Sequence, residues 1–254
     1  MAVRTFLFFL CVCAVIGCKN EPYETVPLGV TSLVNHFTKQ TSTFTYRDQK
    51  LRTFFSKLGN DTLANMKFLF TNGQLQYITN DSTEKSLEKT FFYYSGDVVI
   101  DSTFYSDAET KKLIATRTVT YDADRQPLTV QLKTWTNDSE TGDLIVSEGL
   151  AELEWDGGNV VHLTVSDLST GVKTTTKDVA MGYDGKYCIY MKAGEYLYTL
   201  GLEDLYWLSK NNPIIFNNGN GYQENVYQYN RLGYPSSYTT AAGIQFGMAY
   251  TQVR

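Results

Sequence analysis

"MKFLFTNGQLQYI", Met66 to Ile78, reads as one β-hairpin, and the same grammar returns along the chain. Apolar residues at a spacing of two lie on one face of an extended strand, and Asn-Gly supplies the positive φ angles that a type I′ turn demands. With Asn72 and Gly73 as the turn, Phe70 faces Leu75 and Phe68 faces Tyr77, an aromatic ladder on one face.

Seven aromatic residues share this neighbourhood: Tyr46, Phe70, Tyr94, Tyr121, Trp155, Tyr183 and Tyr229. Two positions before them stand Phe44, Phe68, Phe92, Val119, Leu153, Met181 and Tyr227. All are apolar in a chain whose apolar content is 43%, so the agreement is not compositional. A turn former follows each aromatic within three residues: Asp48, Asn72, Ser95, Asp122, Asp156, Asp184 and Asn230. Five positions after six of the aromatics come Leu51, Leu75, Val99, Val160, Cys188 and Tyr234; the exception, "DADRQPL" after Tyr121, brings its apolar residue late, at Leu128.

Between these turns lie longer polar connections, "SDAETKK" from Ser106, "NDSETGD" from Asn137 and "SDLSTG" from Ser166. Tight turns at one end and longer loops at the other describe an all-β, up-and-down antiparallel meander of about 12 to 14 strands, which must curl or close like a barrel to protect its edges. The spacing breaks once, where "GLEDLYWLSKNNP" sets Leu202, Leu205 and Tyr206 at helical intervals; one short helix is expected near residues 200–210, stopped by Asn211, Asn212 and Pro213. The "NNGNGYQ" that follows reads as an exposed loop.

The first residues carry one cation, Arg4, and then the apolar run "FLFFLCVCAVI", too short to cross a bilayer that needs about 20 apolar residues. Residues 1–17 read as a signal peptide, 18–30 as a tether and 31–254 as a single β domain. The run closes on "VIGC", Val15 to Cys18, which resembles the lipobox of bacterial lipoproteins. That resemblance implies an acylated Cys18 as the new amino terminus, held by membrane lipid through several acyl chains. Lys19 in place of aspartate points to the outer membrane, with the domain facing the periplasm or the cell surface. Cys11 and Cys13 leave with the signal and Cys18 is consumed by lipid, so Cys188 stands alone and no disulfide framework forms within one mature chain.

Later in the chain, "VYQYNRLGYPSS", Val226 to Ser237, resembles the tyrosine-aspartate hairpin repeat of bacterial surface proteins. "LSKNNP" followed by that hairpin resembles a family of uncharacterised bacterial lipoproteins described as porin-like. The resemblance implies a barrel-like or strongly curled sheet on a lipid tether, and it brings no catalytic residue with it. The earlier repeats depart from it by lacking the proline.

Loss of the signal removes Arg4 from the 22 basic residues and none of the 27 acids, leaving a net charge near −6. Nucleic acid, whose binding rests on Lys and Arg against phosphate, is therefore not an expected partner. "AELEWDGGNVVHL", Ala151 to Leu163, gathers carboxylates and His162 around Trp155, but Glu152 and Glu154 alternate with Leu153 and Trp155 as on a half-buried strand. Asp156 is then a turn residue. Neither His162 nor His36 has a nucleophile or orienting acid supplied by a sequence signature. Two histidines and one thiol are too few for a zinc site, and "NDSETGD" does not match a calcium loop, so no metal or cofactor is expected. Trp155 belongs to the core, while Trp135 and Trp207 stand outside the repeated position and are the candidate ligand-binding residues. The expected function is a non-enzymatic, outer-membrane-anchored binding or structural lipoprotein for a glycan, peptide or partner protein. A polysaccharide-acting hydrolase, for which acidic pairs are available but unplaced, is the alternative, and a pore-like barrel the second.

Overall fold

The computed structural model describes residues 28–83, 86–106, 111–137, 143–188, 194–198, 200–219 and 221–252. The stretch read as signal peptide, Cys18 and most of the stretch read as tether lie outside these residues, as does most of the "SDAETKK" and "NDSETGD" loops. Seventeen strands are present: β1 (Leu28–Asn35), β2 (Gln40–Arg47), β3 (Lys50–Leu58), β4 (Asp61–Thr71), β5 (Gln74–Thr83), β6 (Ser86–Ser95), β7 (Val98–Ser106), β8 (Lys111–Tyr121), β9 (Pro127–Asn137), β10 (Leu144–Asp156), β11 (Asn159–Asp167), β12 (Thr174–Tyr187), β13 (Asn211–Asn217), β14 (Tyr222–Glu224), β15 (Val226–Tyr229), β16 (Pro235–Thr239) and β17 (Gln245–Gln252).

The pairing is antiparallel throughout, each strand to its sequence neighbour, and β17 returns to β1, so the meander wraps into a nearly closed barrel. β14 pairs back to β13 and β15 forward to β16, the two being successive parts of one extended run on either side of Asn225.

The expected 12 to 14 strands are corrected to 17. Six hairpin words give twelve strands. The Tyr183 word gives β12 and β13, but its Asp184 and Gly185 lie within β12 and not in the expected tight turn. The additional strands are β1, which begins inside the stretch read as tether, β14, inside the stretch read as loop, and β17. Their signal is weak because each is recruited by an edge that needs a partner, not by its own alternation.

The repeat has a feature that alternation alone does not show. At Tyr46, Phe70, Tyr121, Trp155 and Tyr229 the register slips and the returning strand skips one residue: Arg52, Gln76, Leu128, Val161 and Ser236 respectively. These are β-bulges, which add twist and turn side chains to the other face. Phe70 faces Leu75 as expected, but Phe68 faces Ile78 and not Tyr77, because the skipped Gln76 sends Tyr77 outward. The same slip makes Pro127 the buried partner of Tyr121 and leaves Leu128 40% exposed, which corrects the expected inward Leu128. The six residues five places after the aromatics, Leu51, Leu75, Val99, Val160, Cys188 and Tyr234, are all buried.

The inward faces are apolar, and the described residues between Cys188 and Lys210, 194–198 and 200–209, pack against them. They form two 3-10 segments: Leu202–Leu208, where the short helix near residues 200–210 is expected, and Gly194–Tyr198 before it. Leu197, Leu205 and Trp207 are buried, and Tyr198, Leu200 and Tyr206 pack against two hydrophobic clusters. One cluster belongs to the wall of Val30, Phe44, Leu51, Phe68 and Ile78, the other to the wall of Val119, Val130, Leu153, Leu163 and Val179. Full burial of a leucine contributes about 1.5–3 kcal/mol, so Leu197 and Leu205 alone hold this plug firmly. Short 3-10 turns leave carbonyls without intrasegment partners, and in a barrel those carbonyls need donors. The walls supply them: Arg117 Nη1 donates to the Leu197 carbonyl at 2.9 Å and Lys177 Nζ to the Glu203 carbonyl at 2.9 Å.

The exit of the plug is stapled to the turn of "AELEWDGGNVVHL". Lys210 N–H donates to the Gly158 carbonyl at 2.9 Å, and Asn211 N–H to Asn159 Oδ1 at 2.9 Å. Val160 N–H donates to Ser209 Oγ, Ser209 Oγ–H to Tyr183 Oη, and Tyr183 Oη–H back to the Val160 carbonyl, at 2.9, 2.9 and 2.6 Å. This closed ring of bonds joins β11, β12 and the plug. Asp156 stays an exposed turn residue, as expected.

Candidate functional site

Among the described residues, a cavity lies on either side of the plug, one toward each end of the barrel. The loop-end cavity, of about 630 Å³, lies among β12, β13, β14, the β16–β17 connection and the second 3-10 segment. Both cavities fall within the range of small-ligand sites, which also ask for apolar walls and a few convergent polar groups.

Aromatics build the loop-end cavity. Trp207 meets Tyr238 at 5.6 Å between ring centroids, and Tyr238 stacks on Phe246 at 4.6 Å with only 3° between the planes. Tyr206 touches Trp207 at 5.3 Å and Phe216 edge-on at 5.1 Å. Around these rings stand Asn218, Gln223, Asn225 and Thr240. Asn225 is buried and donates through Nδ2 to the Pro213 carbonyl at 3.4 Å, which fixes its orientation at the kink between β14 and β15. Burial lifts the Asp204 carboxyl above its ordinary range, the nearby Lys177 opposing that rise.

The turn-end cavity, of about 610 Å³, is lined by Phe70, Tyr94, Tyr121, Trp155 and Tyr198, with Lys50, Arg125, Glu195 and Lys210 among them. Four of these rings come from the repeated position, so the repeat itself builds this rim. Their polar tips are already engaged. Tyr94 Oη donates to the Leu75 carbonyl at 2.8 Å and Trp155 Nε1 to the Pro127 carbonyl at 2.8 Å, while Tyr121 and Tyr198 bond to each other. Burial, with Tyr121 and Glu195 nearby, pushes the Tyr94 hydroxyl up to about 12, so it stays a protonated donor. Glu195 is raised by burial against the opposing pull of Lys50, the Leu51 N–H and Arg52.

Beside this cavity, Asp101 on β7 faces Arg117 on β8 across the ladder. It is 5% exposed, its Oδ2 has no hydrogen-bond partner, and desolvation raises its carboxyl to about 6 despite the guanidinium.

Of the sequence candidates, Trp207 lines the loop-end cavity. Trp135 lies on β9 opposite Val146, half-buried beneath the Lys133 ammonium 5.8 Å from its ring, and lines neither cavity. Trp155 packs against the second hydrophobic cluster as expected, and one side of it also lines the turn-end cavity. His162 is on the outer face, its Nε2 2.7 Å from Asp178 Oδ1 and its Nδ1 3.6 Å from Glu154 Oε1. Asp184 is elsewhere, accepting from Asn212 N–H at 3.2 Å, Lys186 N–H at 2.9 Å and the Tyr229 hydroxyl. Asp156, Asp184 and His162 thus do not converge. Tyr238 and Phe246 were missed because they lie outside the repeat, and only their alternation on β16 and β17 marks them as inward.

No family model matches the chain, and no curated protein matches it. Among solved structures, a porin-like protein of Bacteroides vulgatus aligns with a TM-score of 0.45 and 10% identity, over 89% of this chain and 100% of that one. A porin-like protein of Bacteroides uniformis aligns with a TM-score of 0.37 and 8% identity, over 88% of this chain and 96% of that one.

Proposed function

We propose that the protein is a non-catalytic binding lipoprotein, tethered to the outer membrane through acylated Cys18, that holds a neutral glycan segment in its loop-end cavity. The observation that carries this reading is the meeting of Trp207, Tyr238 and Phe246 with the amides of Asn218, Gln223 and Asn225 at one open mouth. Aromatic faces take the C–H face of a sugar ring, and side-chain amides both donate to and accept from its hydroxyls.

The test uses the full-length protein purified in detergent and a panel of neutral oligosaccharides. Saturable binding is expected, weakened about tenfold by Gln223→Ala, one bond's worth, and unchanged by Trp135→Ala. Gln223 is exposed, so its variant keeps the fold where Trp207→Ala disturbs the core. Binding indifferent to Gln223→Ala and to Tyr238→Ala removes the cavity from the proposal. For the anchor, Cys18→Ala is expected to leave an unacylated, uncleaved precursor; fatty-acid labelling of that variant would refute it.

A pore-like barrel is the second reading, favoured by the return of β17 to β1. Against it stand the interior plug and the charged outer wall of Glu148, Glu152, Glu154, His162 and Asp178, since a membrane barrel needs an apolar band about 25 Å tall. Stepwise conductance of the purified protein in planar bilayers would favour the pore.

A further inference from the structure

We propose that the turn-end cavity is a second and independent ligand site, one that takes a ring bearing a carboxylate. The mature chain is acidic overall, yet this cavity is lined by three cations, Lys50, Arg125 and Lys210, against one acid, Glu195. Lys50 is engaged, donating to the Gly73 carbonyl and lying close to Glu195. Arg125 and Lys210 stand at the neighbouring β8–β9 and β10–β11 turns, and Lys210 makes no ion pair among the described residues.

The Tyr121 hairpin carries "DADRQPL" in place of a two-residue turn. The Tyr229 hairpin has the same loop, with Asn230 Oδ1 accepting from Leu232 and Tyr234 N–H, but sets Gly233 where this one sets Arg125. Asp122 Oδ1 accepts from Asp124 N–H at 2.9 Å and Gln126 N–H at 2.8 Å, which locks the loop and holds Arg125 at φ 62°. That left-handed conformation is unfavourable for a residue with a Cβ. The guanidinium is thereby seated over the Tyr121 ring at 4.7 Å, with Nη1 donating to the Gly96 carbonyl at 3.3 Å. The backbone of Lys210 is fixed by the staple between the plug exit and Gly158.

The chemistry of the ligand follows. Because Tyr94, Tyr121, Trp155 and Tyr198 spend their polar atoms on the protein, they offer rings, not donors. A ligand therefore stacks through a ring face and satisfies its polar end at the cations. Arg125 presents a planar fork that matches a carboxylate, and Lys210, at the neighbouring turn, adds a second charge. Sugar acids and aromatic acids share this chemistry.

The experiment is titration calorimetry on the full-length protein in detergent with two probes, digalacturonate and 4-hydroxyphenylacetate, each beside its neutral methyl ester. At least one acid is expected to bind saturably, its ester at least tenfold more weakly, with the affinity falling as ionic strength rises. Arg125→Gln and Lys210→Gln, both at exposed positions, are each expected to weaken the acid about tenfold while leaving the melting temperature in place. Digalacturonate alone assigns a sugar acid, and 4-hydroxyphenylacetate alone an aromatic acid. The inference is overturned if neither acid binds, if ester and acid bind equally, or if both variants bind the acid unchanged. A saturating neutral oligosaccharide is expected not to displace the acid; displacement would place both in one site and overturn the inference without touching the loop-end proposal.

Discussion

The two ends of this barrel are built by different means. At the turn end, one sequence word recurs seven times, and the ring of one repeat closes on the carbonyl of the one before: Tyr94 on Leu75, Trp155 on Pro127, Tyr183 on Val160. At the loop end no word recurs, and Trp207, Tyr238 and Phe246 arrive from three separate places in the chain. The turn end is therefore a rim of local, repeated bonds with core beneath it, and the loop end an aromatic lining assembled by the barrel as a whole. Local repetition fixes the rings of the turn-end cavity to the wall, whereas the loop-end cavity takes its shape from contacts between distant strands.

The largest effect that tests this contrast comes from truncating one side chain at each end. Leu51 is fully buried five places after Tyr46, and Leu51→Ala is expected to cost about 2–5 kcal/mol through lost transfer energy and an unfilled cavity. Phe246 is half-buried against Tyr238, so Phe246→Ala removes stacking and partial burial but only widens a cavity that is already open. Its expected cost is about 1–2 kcal/mol, despite the larger side chain lost. Denaturant midpoints at constant m-value measure both. Equal costs at the two positions would break the contrast.

A smaller effect sharpens it at the seam, where Arg117 reaches from the wall to the plug and Asp101 faces Arg117. The folded Asp101 carboxyl is raised from 3.8 to about 6, so the folded state binds its proton more tightly than the unfolded chain. Stability from this group accordingly falls as pH rises from about 4 through about 6, and is recovered on acidification. Two pKa units correspond to at most about 3 kcal/mol. Glu195 and Asp204 are raised in the same direction, so Asp101→Asn is expected to flatten the pH dependence of unfolding between 4 and 6 in part, not wholly. A variant whose pH profile matches the wild type would show that Asp101 is ionised freely, and that the seam is wet.

The same contrast explains how much of the fold was legible. All-β class, the antiparallel meander, the wrapped sheet and the inward residues after each aromatic follow from period-two alternation and turn chemistry, which are local. The bulges were not legible, because a skipped Gln76 or Leu128 changes no residue type and only shifts the register. Nor was the 3-10 plug: Leu202, Leu205 and Tyr206 have helical spacing, but wall donors such as Lys177 and Arg117 decide how the segment turns. Trp207 was visible as a residue out of step with the repeat, while Arg125 was visible only as a longer loop. Its place beside Lys210 in one cavity lining depends on the folded plug, which no local pattern spells.

The smallest expected effect lies outside both ends, on the outer wall. His162 sits between Asp178 and Glu154 with 34% of its side chain exposed, and the two acids are more exposed still. Exposed pairs of this kind contribute about 0–1 kcal/mol and are screened by salt, so His162→Ala is expected to lower stability by less than about 1 kcal/mol, with the difference vanishing at high ionic strength. The outer face of β5–β7 is unlike this one: Tyr77, Phe91 and Phe104 cluster there, with Lys89 and Lys111 over their rings. Hydrocarbon against the His162 wall would penalise the loss of a carboxylate's partner far more than water does, and salt could not screen it. Unfolding of wild type and His162→Ala in detergent at low and high salt therefore reads the solvent on that wall directly: a small, salt-dependent difference means water, whereas a large, salt-independent one means that the wall is covered.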